Sequence, residues 1–345
     1  MLRRSFFKRA SLFVLSLTAA KVLASCASNP TNSNQTTAAN SPTSDPQELT
    51  FGIISTESQA NQKPKWEPFV AAMSKEIGIP VKAFYVTQYS GVIEGMRFKK
   101  VDVAWLGGKS YIEAAKTADA EAFAYMLTDK GEEGYYSHLI TNKDNSIATE
   151  AKAMGGDKYV VQNAKNLTFA FNDPESTSGF LVPSYYVFAS NNVNPKEAFK
   201  KLFFAGSHEA TGMAVASNKV DVATNSSEAL INLEESNPEA RKKIEVIWTS
   251  PLIPSDPIAY RKDLPDGLKE KIRNFFYNYK EKSVLEPLQS SGFKATDDKR
   301  WNTIRELEYA KDLLELEANK EIKPAEKEQK MAELKKELEA LKAAK

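Results

Sequence analysis

The chain has 345 residues, 46 Lys+Arg against 45 Asp+Glu for a formal net charge of +1, and a single cysteine. This balance leaves no basic footprint for nucleic acid. One thiol excludes an intramolecular disulfide, so the fold is held by its core, and residues 49–319 are long enough for two lobes of ordinary size.

Met1-Leu2-Arg3-Arg4-Ser5-Phe6-Phe7-Lys8-Arg9 is a basic start, residues 10–20 are apolar, and Leu23-Ala24-Ser25-Cys26 places small residues before the cysteine. The apolar run is too short to span a bilayer and reads as an export signal over residues 1–26. Arg3-Arg4 before Ser5-Phe6-Phe7-Lys8 resembles the twin-arginine export pattern, with the general route as the alternative. Leu23-Ala24-Ser25-Cys26 resembles a bacterial lipobox, which implies that Cys26 becomes the lipidated first residue. Residues 27–48, made largely of Ala, Ser, Asn, Thr, Pro and Gln, cannot bury enough apolar surface to fold and read as a disordered tether.

Strand-like and helix-like runs then alternate. Residues 49–54 are β-like, 66–77 helical, 81–86 β-like, 91–99 helical and 101–105 a short buried strand, before Gly107-Gly108 and a helix from about Ser110. The pattern restarts over residues 145–249 with strands at 167–171, 220–224 and 244–248, and residues 251–260 read as a crossing segment and a further strand. Alternation of this kind predicts parallel sheets with helices on both faces. The expected fold is α/β, with lobe 1 from residues 49–144 plus 250–319 and lobe 2 from 145–249. A ligand cleft then lies at strand ends between lobes joined by crossover strands. No Gly-rich phosphate loop and no zinc-spaced Cys/His cluster occurs, so neither a cofactor nor a metal is expected.

Within the second lobe, Asp173-Pro174-Glu175-Ser176-Thr177-Ser178-Gly179-Phe180-Leu181-Val182-Pro183 joins the strand at 167–171 to an apolar helical run over 180–188. Three hydroxyls thus stand where a helix begins, beside N–H groups without intrahelical partners. The pattern fits either a plain Ser/Thr N-cap or an anion site. At the other end, residues 325–342 carry Met331, Leu334, Leu338 and Leu341 as a narrow apolar stripe on a charged helix, set apart by Pro324. That segment, 320–345, is either a solvated helix packed on the domain or a partner helix.

These segments together resemble the phosphonate/phosphite-binding subunits of ABC transporters. The resemblance is carried by residues 173–183 and by Gly206-Ser207-His208-Glu209-Ala210. It continues through Val220-Asp221-Val222-Ala223-Thr224-Asn225-Ser226-Ser227-Glu228, Ser250-Pro251-Leu252-Ile253-Pro254-Ser255-Asp256-Pro257 and, upstream, residues 89–98 and 101–105. It runs from about Leu49 to Tyr279. It implies a two-lobed, type II-like periplasmic-binding-protein fold that closes on a small phosphonate or phosphite and delivers it to an ABC permease driven by a separate ATPase. The site of action would be the periplasmic side of the bacterial inner membrane, or the cell surface where no outer membrane exists, with the lipid on Cys26 as anchor.

Carried over by residue, the resemblance implies that Ser176, Thr177, Ser178 and His208 hold the phosphorus oxyanion, while Tyr89, Glu228 and Asp256 meet the group attached to phosphorus. Two acids suit an amino group, as in 2-aminoethylphosphonate, because a buried ammonium needs paired carboxylates. Glu228 also fits a solvated helix position and Asp256 a turn cap. His138, the chain's other histidine, has apolar neighbours typical of a core residue. One departure bears on the side group: Trp105-Leu106-Gly107 stands where amino-phosphonate binders can carry Trp-Tyr-Gly, with Tyr111 a candidate substitute, so methylphosphonate and phosphite remain alternatives. A catalytic reading would need an activated nucleophile or a metal cage. Ser176 and His208 offer no oriented triad, and no catalytic residue is expected.

Overall fold

The computed structural model describes residues 46–343. The export signal, Cys26 and most of the tether lie outside them; at the tether's last position Glu48 pairs with Lys82 at 2.6 Å. The strands in chain order are β1 (Leu49–Ile53), β2 (Val81–Tyr85), β3 (Val103–Trp105), β4 (Ala120–Thr128), β5 (Gly134–Tyr135), β6 (Ser137–Asn142), β7 (Thr168–Phe171), β8 (Lys201–Phe204), β9 (Val222–Ser226), β10 (Ile244–Thr249), β11 (Ile253–Pro254), β12 (Pro257–Arg261) and β13 (Ser290–Ala295).

Two large sheets result, ordered β13-β4-β12-β3-β1-β2 and β10-β6-β9-β7-β8, besides the two-stranded pair β11-β5. Both are mixed rather than parallel. In the first, β1 runs parallel to β2 and β3, whereas β12 is antiparallel to β3 and β4. In the second, β7 is parallel to β8 and β9, whereas β6 is antiparallel to β9 and β10. The reason is the crossing: strands that leave a lobe or return to it enter the sheet against the direction of its βαβ units.

The crossings are β5 and β11, which pair with each other antiparallel through Ile253–Tyr135 and Pro254–Gly134. The first crossing therefore falls ahead of the boundary expected at 144/145, because β6 already belongs to the second sheet. Lys143-Asp144-Asn145, where the pattern was expected to restart, is a turn into the helix Ser146–Met154, capped by Asn145 Oδ1 on the Ile147 N–H at 3.1 Å.

On one face of the first sheet lies the helix Gln59–Ile77, which buries Trp66, Phe69, Val70, Met73 and Ile77 at three- and four-residue intervals. It starts before the predicted residue 66, since Pro64 and Pro68 both lie on its exposed side. Gly78, at φ 75°, ends it in the left-handed conformation that glycine adopts without strain. Phe69 packs on Phe51, Phe275, Phe276 and Phe293, so truncating it to alanine would cost about 3–5 kcal/mol.

The other face buries Trp301 and Ile304 together with Leu181 and Val182 of the second lobe, so this core is shared between lobes. Trp301 leads into the helix Asn302–Ala318, which also touches Thr177–Leu181 and Ser184–Phe188. The final helix, Pro324–Ala343, packs on Asn302–Ala318. Met331, Leu334, Leu338 and Leu341 form its half-buried face.

Candidate functional site

The run predicted as a helix over 180–188 is wider than an α-helix. Thr177–Leu181 and Ser184–Phe188 are π-type turns, with the Leu181 N–H donating to Ser176 O at 3.1 Å. Pro183 explains the widening: it has no N–H for the carbonyl four residues earlier, Gly179. That carbonyl instead accepts from Asn172 N–H at 3.1 Å and Thr224 Oγ1 at 2.7 Å. Ser137 Oγ donates to the Ser178 carbonyl at 2.6 Å. The start of the turn is thus fixed to β6, β7 and β9. Gly179 is required by close approach, since a Cβ there would sit 2.3 Å from Asn172 Cβ.

Ser176, Thr177 and Ser178 are buried at this start and line one cavity. Ser176 Oγ accepts from Gly179 N–H at 2.9 Å, the capping bond expected of a helix-initiating serine. Thr177 Oγ1 accepts the Lys109 N–H at 2.9 Å. In both hydroxyls the oxygen already accepts a bond, which leaves the proton as a donor. The N–H groups of Thr177 and Ser178 open the turn and have no helical residue behind them to bond.

His208 begins the helix His208–Ala216, capped by Ser207 Oγ on Ala210 N–H at 3.0 Å. Its Nε2 lies 3.4 Å from Ser178 Oγ, while its Nδ1 is buried without a partner. Burial pushes the imidazole down to about 3, so it is neutral and carries one N–H. A nucleophile–base pair needs an acid orienting the second ring nitrogen, and none bonds Nδ1 here.

Tyr89, Glu228 and Asp256 line the same cavity. Burial, reinforced by the charges of Asp173 and Asp256, raises the Tyr89 phenol well above its usual range, so it keeps its proton. Burial likewise raises Glu228, with Asp256 and Asp129 adding to the effect, and raises Asp256. Tyr135 and Trp105 are near enough to Asp256 to favour its ionised form, yet Asp256 Oδ1 and Trp105 Nε1 are buried with no strict hydrogen-bond partner. Among the described residues lining the cavity the only lysine or arginine is Lys65, which is held by Glu57 at 3.1 Å.

The lobes are closed. Asp173 Oδ2 accepts the Tyr89 N–H at 3.2 Å, Glu209 Oε2 accepts the Ser58 N–H at 2.7 Å, and Lys109 Nζ pairs with Glu175 at 2.8 Å and Glu308 at 3.5 Å. The cavity measures about 70 Å³, space for one small ligand rather than a nucleotide. Trp66 and Trp105, with ring centroids 5.0 Å apart, form an apolar wall with Met126.

All seven sequence-read side chains therefore meet in one cavity, while other expectations do not reach it. Leu106 is fully buried in the core and does not line the cavity. Tyr111 does not replace a lost hydroxyl there: its oxygen donates to Asp298 at 2.6 Å and accepts from Ala122 N–H. His138 is half-buried in β6, with Nδ1 3.1 Å from Thr249 Oγ1. Sequence reasoning missed Tyr135, Trp105, Lys65, Asn232 and Gln289, which also line the cavity. Only the aromatic pair Tyr135-Tyr136 beside the crossing offered a local signal.

A two-lobed α/β chain closed over a small polar cavity is a ligand trap of the periplasmic-binding-protein type. Residues 51–301 match the family model described as ABC transporter, phosphonate, periplasmic substrate-binding protein. The chain is 46% identical over 297 residues to the phosphonates-binding periplasmic protein of Escherichia coli K12, covering 85% of each. A solved binding-protein component of an ABC phosphonate transporter from Pseudomonas aeruginosa superposes with a TM-score of 0.81 at 45% identity, over 87% of this chain and 98% of that one. PhnD1 from Prochlorococcus marinus in complex with methylphosphonate matches with a TM-score of 0.65 at 25% identity, over 76% and 97%. The chain belongs to the phosphonate-binding family of periplasmic substrate-binding proteins of ABC transporters. It is a transport component rather than an enzyme.

Proposed function

We propose that this protein captures a phosphonate bearing an amino group, of the 2-aminoethylphosphonate kind, and delivers it to its permease. Ser176, Thr177, Ser178 and His208 would donate to the phosphonate oxygens, and Glu228 and Asp256 would flank the ammonium, with Tyr89 closing from the first lobe. The observation that carries the reading is the carboxylate pair. Burial raises the pKa of both acids, and the Asp256 charge raises Glu228 further, at a cavity whose one lysine among the described lining residues is already paired with Glu57. A ligand ammonium supplies the missing charge.

Methylphosphonate or phosphite is the second reading, favoured by the apolar wall of Trp66, Trp105 and Met126 and by the methylphosphonate bound to the Prochlorococcus relative. Calorimetry with 2-aminoethylphosphonate, methylphosphonate, phosphite and phosphate separates the two. The amino compound is expected to bind at least about tenfold more tightly, one paired charge being worth roughly 1.5–3 kcal/mol. Equal affinities would transfer the assignment to the second reading.

We further propose that Cys26 carries the lipid that holds the protein at the membrane, with residues 27–48 as the tether. Detergent-phase partition of the native protein, abolished by Cys26→Ala, is the expected result; partition unchanged by the substitution would rule the anchor out.

A further inference from the structure

Asn232 lies four residues beyond Glu228 on the helix Ser227–Ser236, one turn along on the same face. Its Oδ1 accepts two donors from the opposite lobe, Lys65 Nζ at 2.5 Å and Gln289 Nε2 at 2.7 Å. Each donor is itself held in place. Lys65 is paired with Glu57 at 3.1 Å, and Gln289 Nε2 also reaches the Glu228 carbonyl at 3.3 Å. Gln289 presents its amide from a left-handed backbone, φ 52°, which a residue with a side chain adopts only where its surroundings impose it. Glu57, Lys65, Glu228, Asn232 and Gln289 all line the cavity.

We propose that Asn232 bolts the cleft beyond Glu228 and so sets the longest organic substituent the closed state accepts. The inference rests on the amino-phosphonate reading. A chain whose ammonium meets Glu228 stops before the bolt, and each added methylene carries the ammonium toward Asn232, whose Oδ1 is already taken by Lys65 and Gln289. Displacing Asn232 strips the shared acceptor from a half-buried ammonium and a half-buried amide, so the closed state loses two interlobe bonds together. The bolt thus acts on selectivity and on release rate through one atom.

The test compares 2-aminoethyl- and 3-aminopropylphosphonate on the wild-type protein and on Asn232→Ala, with equilibrium affinity by calorimetry and release by stopped flow. Asn232→Ser, a smaller loss of packing, repeats the measurement, and thermal melts establish that each variant is folded. The wild type is expected to prefer the shorter ligand by about tenfold or more, the usual penalty of one unaccommodated methylene. In the variants that preference is expected to shrink at least about threefold while release of the shorter ligand speeds up. A preference unchanged within about twofold in both folded variants would overturn the bolt alone. Failure of the wild type to bind either aminophosphonate would overturn the amine reading, and the bolt with it.

Discussion

The Thr177 hydroxyl oxygen accepts the backbone N–H of Lys109 across the cleft at 2.9 Å. Closure therefore does more than cover a ligand: a first-lobe amide fixes the polarity of a second-lobe hydroxyl, leaving its proton to donate. Thr177→Val keeps the shape and removes the donor. Loss of one hydrogen bond to a charged oxyanion is expected to weaken phosphonate binding about 10- to 100-fold, read by calorimetry, and the Lys109 N–H left without its acceptor is expected to lower the melting temperature as well.

Lys109 is held from two sides. Burial disfavours its ammonium, and the charges of Glu175 and Glu308 outweigh that, raising its pKa. Glu175→Gln removes the interlobe partner and leaves the Glu308 pair within the first-lobe framework. Ligand release is expected to accelerate by roughly 3- to 30-fold with the association rate nearly unchanged, as stopped-flow traces would report.

The carboxylate pair makes a pH prediction of definite sign. Glu228 and Asp256 have raised pKa values in the fold. Their contribution to stability is present below the unfolded carboxyl value, about 4, and is lost as pH rises through the folded values. The unliganded protein thus loses stability from this pair toward neutral pH, and a ligand ammonium offsets the loss. The rise in melting temperature given by 2-aminoethylphosphonate is expected to grow between about pH 5.5 and about pH 8 more than that given by methylphosphonate. Glu228→Gln should remove the difference; parallel curves for the two ligands in the wild type would contradict the pairing.

His208 carries the opposite sign. Burial holds its folded pKa at about 3, so its contribution is intact above the unfolded value near 6.5 and is lost as pH falls from there. Urea unfolding is expected to show an acid slope of up to about 1.4 kcal/mol per pH unit in this window, reduced in His208→Gln.

Gly179→Ala is expected to destabilise the protein by about 1–3 kcal/mol, the usual cost of overpacking. The added Cβ meets Asn172 Cβ at 2.3 Å and Ser176 Oγ at 2.8 Å. Because Ser176 caps the hydroxyl turn and Asn172 holds it through the Gly179 carbonyl, affinity should fall along with the melting temperature.

The hydroxyl turn was legible because its cues are local: a strand, three hydroxyls and a proline within a dozen residues. Its π-type winding was not, since Pro183 acts through a carbonyl whose new partners, Asn172 and Thr224, lie just past β7 and on β9. Glu228 and Asp256 stood out only through resemblance; 28 positions separate them, and a lobe crossing brings them together. Asn232 and Gln289 gave no signal at all, because a polar residue on a charged helix and another before a strand look like surface until the opposite lobe supplies their partners. The sheets were read as parallel because βαβ alternation is periodic, whereas the three strands that make them mixed, β6, β12 and β13, are set by tertiary path.

The helix Asn302–Ala318 is rooted in the first-lobe core at Ile304 and runs along the second lobe's Ser184–Phe188. It makes a third tie between lobes already joined by β5 and β11. Fewer directions of separation remain, so the unliganded protein samples a narrower ensemble than two crossings alone would permit. Less disorder is then surrendered when the cleft shuts, and a ligand of only a few heavy atoms has less to overcome in holding it shut.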